Sequence, residues 1–270
     1  MARNRVGPLI RDRRVATRRS QLRLALDVGV SARHLGFVEL GRSRPSPELL
    51  LAIANCLEVP LRERNQWLLA AGYAPRYPET PLAGPALARV RDSLQALLDA
   101  HDPYPGVVVD RLWDVRLSNA AARTLVAAVP EAVRGTPVNI FRTALHPDGL
   151  AGRTRNFAEW SAYLLRQLQL LAVGDPDAAA LAAEIATWPG IPPRDTWSRA
   201  TPDGDSPDPV LSWQVRLGDR GYALYTIMST IGTPNDITLA ELTVELFFPA
   251  DSATEDQLRH GESLAHNASR

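Results

Sequence analysis

The sequence predicts an all-α N-terminal domain followed by an α+β domain built on an antiparallel sheet. Three observations carry that expectation. Residues 1–72 hold consecutive short stretches with apolar residues at helical spacing. The stretch GYAPRYPETPLAGP, residues 72–85, carries Pro75, Pro78, Pro81 and Pro85, which stiffen the chain and forbid regular structure. Near the C-terminus, LSWQVRL, GYALYTIMSTI and LAELTVELFF read as three strands in succession. The expected boundaries are residues 1–72, a linker at 73–85, a second domain at 86–251 and a polar tail at 252–270, with His260 and His266 in the tail.

In the first domain, Leu9 and Ile10 anchor the first helix, which ends before Arg18-Arg19. Ser20 suits the N-cap of a second helix, broken by Val28-Gly29-Val30, and Ser31 caps a third running to about Leu40. Ser46 followed by Pro47 is a cap with proline at the first helical position, opening a fourth helix along Leu50, Ile53, Ala54 and Leu57. A fifth runs from Leu61 to Ala71 and stops at Gly72. In the second domain a helix over 86–100 leads into two short strands within VVVDRLWDVRLSN. Helices over 119–128, 138–145, 155–173 and 175–187 precede the three C-terminal strands. In the middle strand Tyr222, Leu224 and Thr226 share one face, and apolar and polar residues alternate in TVELFF.

The chain has 270 residues, 45% hydrophobic and 22% charged, as expected of a globular protein. No apolar run reaches the roughly 20 residues of a membrane span. The N-terminus is basic without an apolar stretch, so a cytoplasmic protein without a membrane partner is expected. A single cysteine, Cys56, rules out an internal disulfide framework and suits a small apolar filler. The net charge of zero conceals an asymmetry. Residues 1–44 hold eleven arginines against Asp12, Asp27 and Glu39, a net +8, which leaves −8 for the remainder. A basic head on an acidic body suits a polyanionic partner for the head.

Gln21, Ala25, Gly29, Leu35 and Val38 stand at the spacing of a helix-turn-helix, with a small residue where the helices approach and glycine in the turn. With SQLRLA, GVSARHL and VELGRSRPS, residues 6–72 resemble the Cro/repressor-type (Xre) helix-turn-helix. Gly36, and Arg18-Arg19 before the serine-glutamine pair, depart from that pattern. The resemblance implies double-stranded DNA as partner, read by the third helix, with Ala32, Arg33, His34 and Phe37 at base edges or nearby backbone. Arg33 suits guanine, which a guanidinium contacts bidentately. Gln21 and Ser31 at helix starts, and Arg42 and Arg44 after the third helix, suit phosphates. Glu39 suits an internal ion pair.

Four further stretches, PLRERNQWLLAAGYAPRYPETPL, HDPYPGVVVDRLWDVRLSNAAARTL, NIFRTALHPDGL and GTPNDITLAELTVELFFPAD, are similar in this order to the MmyB-like transcription regulators. That resemblance implies a PAS-like domain whose antiparallel sheet holds a small apolar molecule, a long-chain fatty acid. Because helix-turn-helix heads act in pairs on palindromic half-sites, a homodimer whose operator binding the ligand modulates is expected. Trp113, Phe141, Trp160, Trp213, Tyr222, Tyr225 and Met228 are the expected lining. Arg111, Arg142, His146 and Arg153 are candidates for the carboxylate, because a buried anion must be paired. No other cofactor or metal is expected, and no catalytic role. The chain has no G-x-S-x-G, no G-x-G-x-x-G and no lysine for a P-loop, and its five histidines lack H-x-x-x-H spacing. The alternative is a constitutive DNA-binding protein whose C-terminal domain serves dimerisation or protein contacts alone.

Overall fold

The protein is described as a computed structural model covering residues 5–199 and 209–260. It divides into two compact units: residues up to Leu82 together with Gly232–Ala240, and Ala83–Ile231 with the residues from Glu241 onward.

In the first unit, α1 (Val6–Ala16), α2 (Gln21–Asp27), α3 (Ala32–Glu39), α4 (Pro47–Cys56) and α5 (Leu61–Ala70) follow one another. Three serines set the register. Ser20 accepts a hydrogen bond from the Arg23 amide, Ser31 from His34 and Ser46 from Leu49, at 3.1, 3.1 and 3.2 Å. Each satisfies one amide that a helix start leaves without an intrahelical partner. The buried residues that α1 contributes to the core are Val6 and Ile10, four apart on one face, while Leu9 is 39% exposed. The sequence expectation of Leu9 as an anchor is corrected accordingly.

Leu24, Ala25, Leu35 and Val38 are fully buried between α2 and α3, and Val28 and Val30 pack partly buried beside them. Gly29 turns the chain at φ 71°. Arg18 itself adopts φ 54°, so the arginine takes the left-handed turn conformation that glycine adopts at less cost. Gly7 marks the close approach of α1 and α3. A Cβ there would lie 2.4 Å from Val38 O and 2.6 Å from Glu39 O.

The proline-rich stretch is held against this unit as far as Leu82. The Asn65 side chain donates to Tyr77 O and accepts from the Arg76 and Tyr77 amides. The remote segment Gly232–Ala240 joins the same unit. The Thr80 amide donates to Asp236 Oδ2 at 3.2 Å, and the Ile237 amide donates to Pro78 O at 2.8 Å.

In the second unit, α6 (Ala88–Asp99) precedes β1 (Gly106–Val109) and β2 (Val115–Ser118). Then come α7 (Ala120–Ala127), α8 (Glu131–Arg134), α9 (Ile140–Leu145), α10 (Phe157–Ala172) and α11 (Pro176–Ile185). β3 (Trp213–Leu217) and β4 (Arg220–Thr230) follow, and the chain passes through α12 (Ile237–Ala240), in the first unit, before β5 (Thr243–Pro249). The sheet is antiparallel, in the order β2-β1-β5-β4-β3, so the last strand in sequence lies at the centre.

One core joins sheet and helices: Val107, Trp213, Val215, Tyr222 and Leu224 pack with Phe141, Leu145, Leu164, Leu165, Leu168 and Ile185. Where a tail is expected from residue 252, α13 (Ser252–His260) continues the domain. Thr254 Oγ1 accepts from the Ala223 amide at 2.9 Å, and Leu258 is buried. The part of the expected tail from residue 261, His266 included, lies outside the described residues.

Candidate functional site

Two sites, one in each unit, follow from this architecture. In the first unit the outer face of α3 exposes Arg33 and leaves Ala32, His34 and Phe37 partly exposed. The Arg33 guanidinium lies 5.5 Å from the centre of the Phe37 ring, a cation–π contact that holds it on this face. The Ser31 hydroxyl is engaged as the α3 cap. Arg42 is exposed in the loop that follows. Arg44 is exposed as well, with its guanidinium donating to Gly72 O at 2.9 Å and resting 4.1 Å from the centre of the Tyr73 ring.

Beneath this face lies a buried charge cluster. Glu39, 5% exposed, takes both oxygens to Arg14, at 2.6 and 3.0 Å, and accepts a third bond from Gln21 Nε2 at 2.8 Å. The carboxylate beside it raises the Arg14 pKa. The ion pair expected of Glu39 is therefore present, and Gln21, placed among the phosphate candidates, stands at the start of α2 with its amide turned to Glu39. Gly36 lies beside that amide, where a Cβ would meet Gln21 at an ordinary 3.5 Å.

The second unit contains a cavity of about 50 Å³. Val107 of β1 with Glu245 and Phe247 of β5 form its sheet side, and Leu125 and Val126 of α7, Ile140 and Thr143 of α9, and Trp160 and Leu164 of α10 form its helical side. Trp113 and Trp213 close it further. Trp113 stands at φ 62° in the β1–β2 turn, a strained conformation for a bulky residue. Asp110 holds that turn by accepting from the Leu112 and Asp114 amides, and the Trp113 ring stacks on Phe141 with centroids 5.0 Å apart. The Trp213 indole donates to Thr154 Oγ1 at 2.9 Å.

Among the expected lining residues, Trp113, Trp160 and Trp213 surround the cavity. Phe141 and Tyr222 are buried in the adjoining core, Tyr225 stacks on Phe248, and Met228 is 44% exposed. The carboxylate candidates are all absent from the cavity lining. Arg111 pairs with Asp175 and Asp177, Arg142 forms a two-pronged pair with Glu184, and Arg153 is exposed. His146 accepts from the Asp148 amide through Nδ1 and packs edge-on against Trp188. Nearby acids neutralise Arg111 and Arg142, and none of the four candidates for a ligand carboxylate lies in the cavity wall.

The ionisable group in the lining, among the described residues, is instead an acid. Glu245 is 2% exposed, and burial pushes its pKa up to about 7 against a smaller opposing effect of a hydrogen bond from Thr226. Its Oε2 has no hydrogen-bond partner, and neither has Thr143 Oγ1. Tyr163, partly buried on α10, is pushed up to about 12 by burial and by the proximity of Glu245. An unmatched buried polar atom costs about 1–3 kcal/mol, so two at one cavity mark a place where a polar group of a bound molecule would be stabilising. Sequence reasoning missed both residues.

A helix-turn-helix with exposed arginine on its third helix, in one chain with a sheet domain enclosing an apolar cavity, defines a DNA-binding regulator that carries a small-molecule domain. Residues 10–64 match the helix-turn-helix family model, and residues 90–260 match that of the MmyB-like transcription regulator ligand binding domain. The latter spans more than half of the chain, and the protein belongs to the MmyB-like transcription regulators. Both families are regulator domains. Curated proteins yield no match to the chain. No helix among the described residues is long and apolar enough to cross a membrane.

Proposed function

We propose that the protein is a cytoplasmic, ligand-responsive transcription regulator. A homodimer reads a palindromic operator with the third helix of each copy in the major groove, at half-sites about one helical turn, roughly 34 Å, apart. A small apolar molecule in the cavity of the second unit shifts the population of dimers whose heads fit that spacing. The coupling is reciprocal, so operator DNA changes ligand affinity by the same factor.

The observation that carries the reading is the apolar cavity walled by Trp113, Trp160, Trp213 and Phe247 in the same chain as the exposed Arg33 and Arg42. At about 50 Å³ it falls short of the roughly 300–1,000 Å³ usual for ligand pockets, so a long-chain molecule such as the fatty acid implied by the resemblance needs the walls to move. The alternative, a C-terminal domain for dimerisation alone, leaves the unmatched Glu245 and Thr143 without a purpose.

The test is to purify the full chain, extract it with organic solvent and examine the extract by mass spectrometry, while selecting bound duplexes from a random pool. A stoichiometric apolar molecule together with a palindromic consensus is the expected result. A dry extract and no consensus would refute the reading.

A further inference from the structure

The cavity has an apolar wall and one acid, without a cation among its described lining residues. Glu245 lies on the central strand β5, opposite Val107 of β1 and Met228 of β4. One of its oxygens is unmatched, and Thr143, entering from α9, supplies a second unmatched oxygen to the same cavity. Around Glu245 stand Thr226, which hydrogen-bonds to it, and Tyr163 on α10. Arg111 and Arg142 are paired with acids, Arg153 is exposed, and Arg123 and Arg134 line an adjoining pocket that shares Val107, Ala122 and Val126 with this cavity but not Glu245 or Thr143.

A ligand carboxylate brought beside Glu245 would meet a carboxyl group, with no cation among the described residues that line this cavity. Two carboxylates at close range cannot both stay ionised, so one of them must take up a proton. A hydroxyl or an amine meets the opposite situation. It donates to Glu245 Oε2, and a hydroxyl can also accept from the Thr143 hydroxyl, which satisfies both orphaned atoms.

We propose that the cavity selects an apolar molecule ending in a hydrogen-bond donor, an alcohol or an amine, with Glu245 as the acceptor that recognises that end and Thr143 as its second contact. This inference rests on the ligand-sensing reading above and replaces the free fatty acid with a donor-headed amphiphile of similar body. It makes Glu245 a specificity residue. Octanoate binding should weaken as pH rises from 6 to 8, octylamine binding should strengthen over the same range, and 1-octanol should change least.

The test uses the full chain and three probes of equal length, 1-octanol, octylamine and octanoate, followed by quenching of tryptophan fluorescence at pH 8. The octanol and octylamine should bind about tenfold or more tighter than octanoate, the scale of a buried like-charge penalty. Glu245→Gln should bring octylamine and octanoate to within about threefold of one another, because the buried charge is what separates them. Thr143→Val, similar in shape, should weaken both octanol and octylamine by a few-fold, and it serves as the test if Glu245→Gln does not fold. Octanoate binding as tightly as octanol at pH 8, or an unchanged ranking in Glu245→Gln, would overturn the assignment of the head group while leaving a ligand cavity in place. Binding of none of the three probes would overturn the ligand-sensing reading and this inference with it.

Discussion

Replacing Glu245 with glutamine changes how the stability of the protein depends on pH, and the magnitude follows from the burial of one carboxyl. The group sits at about 7 in the folded chain against 4.5 when unfolded. Between those values the folded state binds the extra proton, so stability falls as pH rises. The favourable contribution is complete below about pH 4.5, is lost through pH 7, and is absent above it. A rise of this size is worth about 3 kcal/mol, a large share of the 5–15 kcal/mol of a typical domain. Glu245→Gln keeps the shape and removes the titration. Urea unfolding of wild type and variant at pH 5, 6, 7 and 8, followed by tryptophan fluorescence, measures the difference directly. The stability of wild type relative to the variant should drop by about 2–3 kcal/mol from pH 5 to 8. Parallel profiles would refute the assignment of a buried, weakly partnered carboxyl.

Three more perturbations test other parts of the account. Arg14→Ala strands the Glu39 carboxylate, leaving it with Gln21 alone, and should cost about 3–5 kcal/mol in thermal or urea unfolding of the first unit. Gly7→Ala drives a methyl into the backbone of Val38 and Glu39 and should cost about 1–3 kcal/mol, whereas Gly36→Ala meets only ordinary contact and should stabilise by up to about 1 kcal/mol. In operator binding, Arg33→Ala should change the preferred base by about 1–3 kcal/mol, and Arg42→Ala should weaken all sequences alike and lower the salt slope by about one. Equal, sequence-blind losses for both arginines would contradict their separate roles.

Local rules made much of the helical domain legible. Ser20, Ser31 and Ser46 each combine a capping hydroxyl with a following apolar period, and all three cap their helices in the structure. Glu39, an acid in an arginine-rich segment, was legible as an ion pair because an inward carboxylate there has few other partners. The three C-terminal strands were legible from their β-branched and aromatic runs.

What remained hidden depends on contacts remote in sequence. Asn65 fastening residues 76–77, and Asp236 capturing the Thr80 amide, are long-range bonds that no local pattern announces. Arg111 and Arg142 looked available until Asp175, Asp177 and Glu184 were brought to them by the fold. Glu245 was hidden by its own alternation, since a polar residue between Val244 and Leu246 reads as solvent-facing. One signal did point inward: Phe247 shares its face two residues on, and a large aromatic there means that the face is covered.

The central claim is that the second unit decides when the first binds DNA. The most direct measurement is operator affinity of the full chain stripped by organic extraction and refolded, with and without the extracted molecule added back at saturation. The account predicts a change of at least about fivefold in Kd, the lower end of ordinary allosteric coupling. Identical affinities in the two conditions would contradict it.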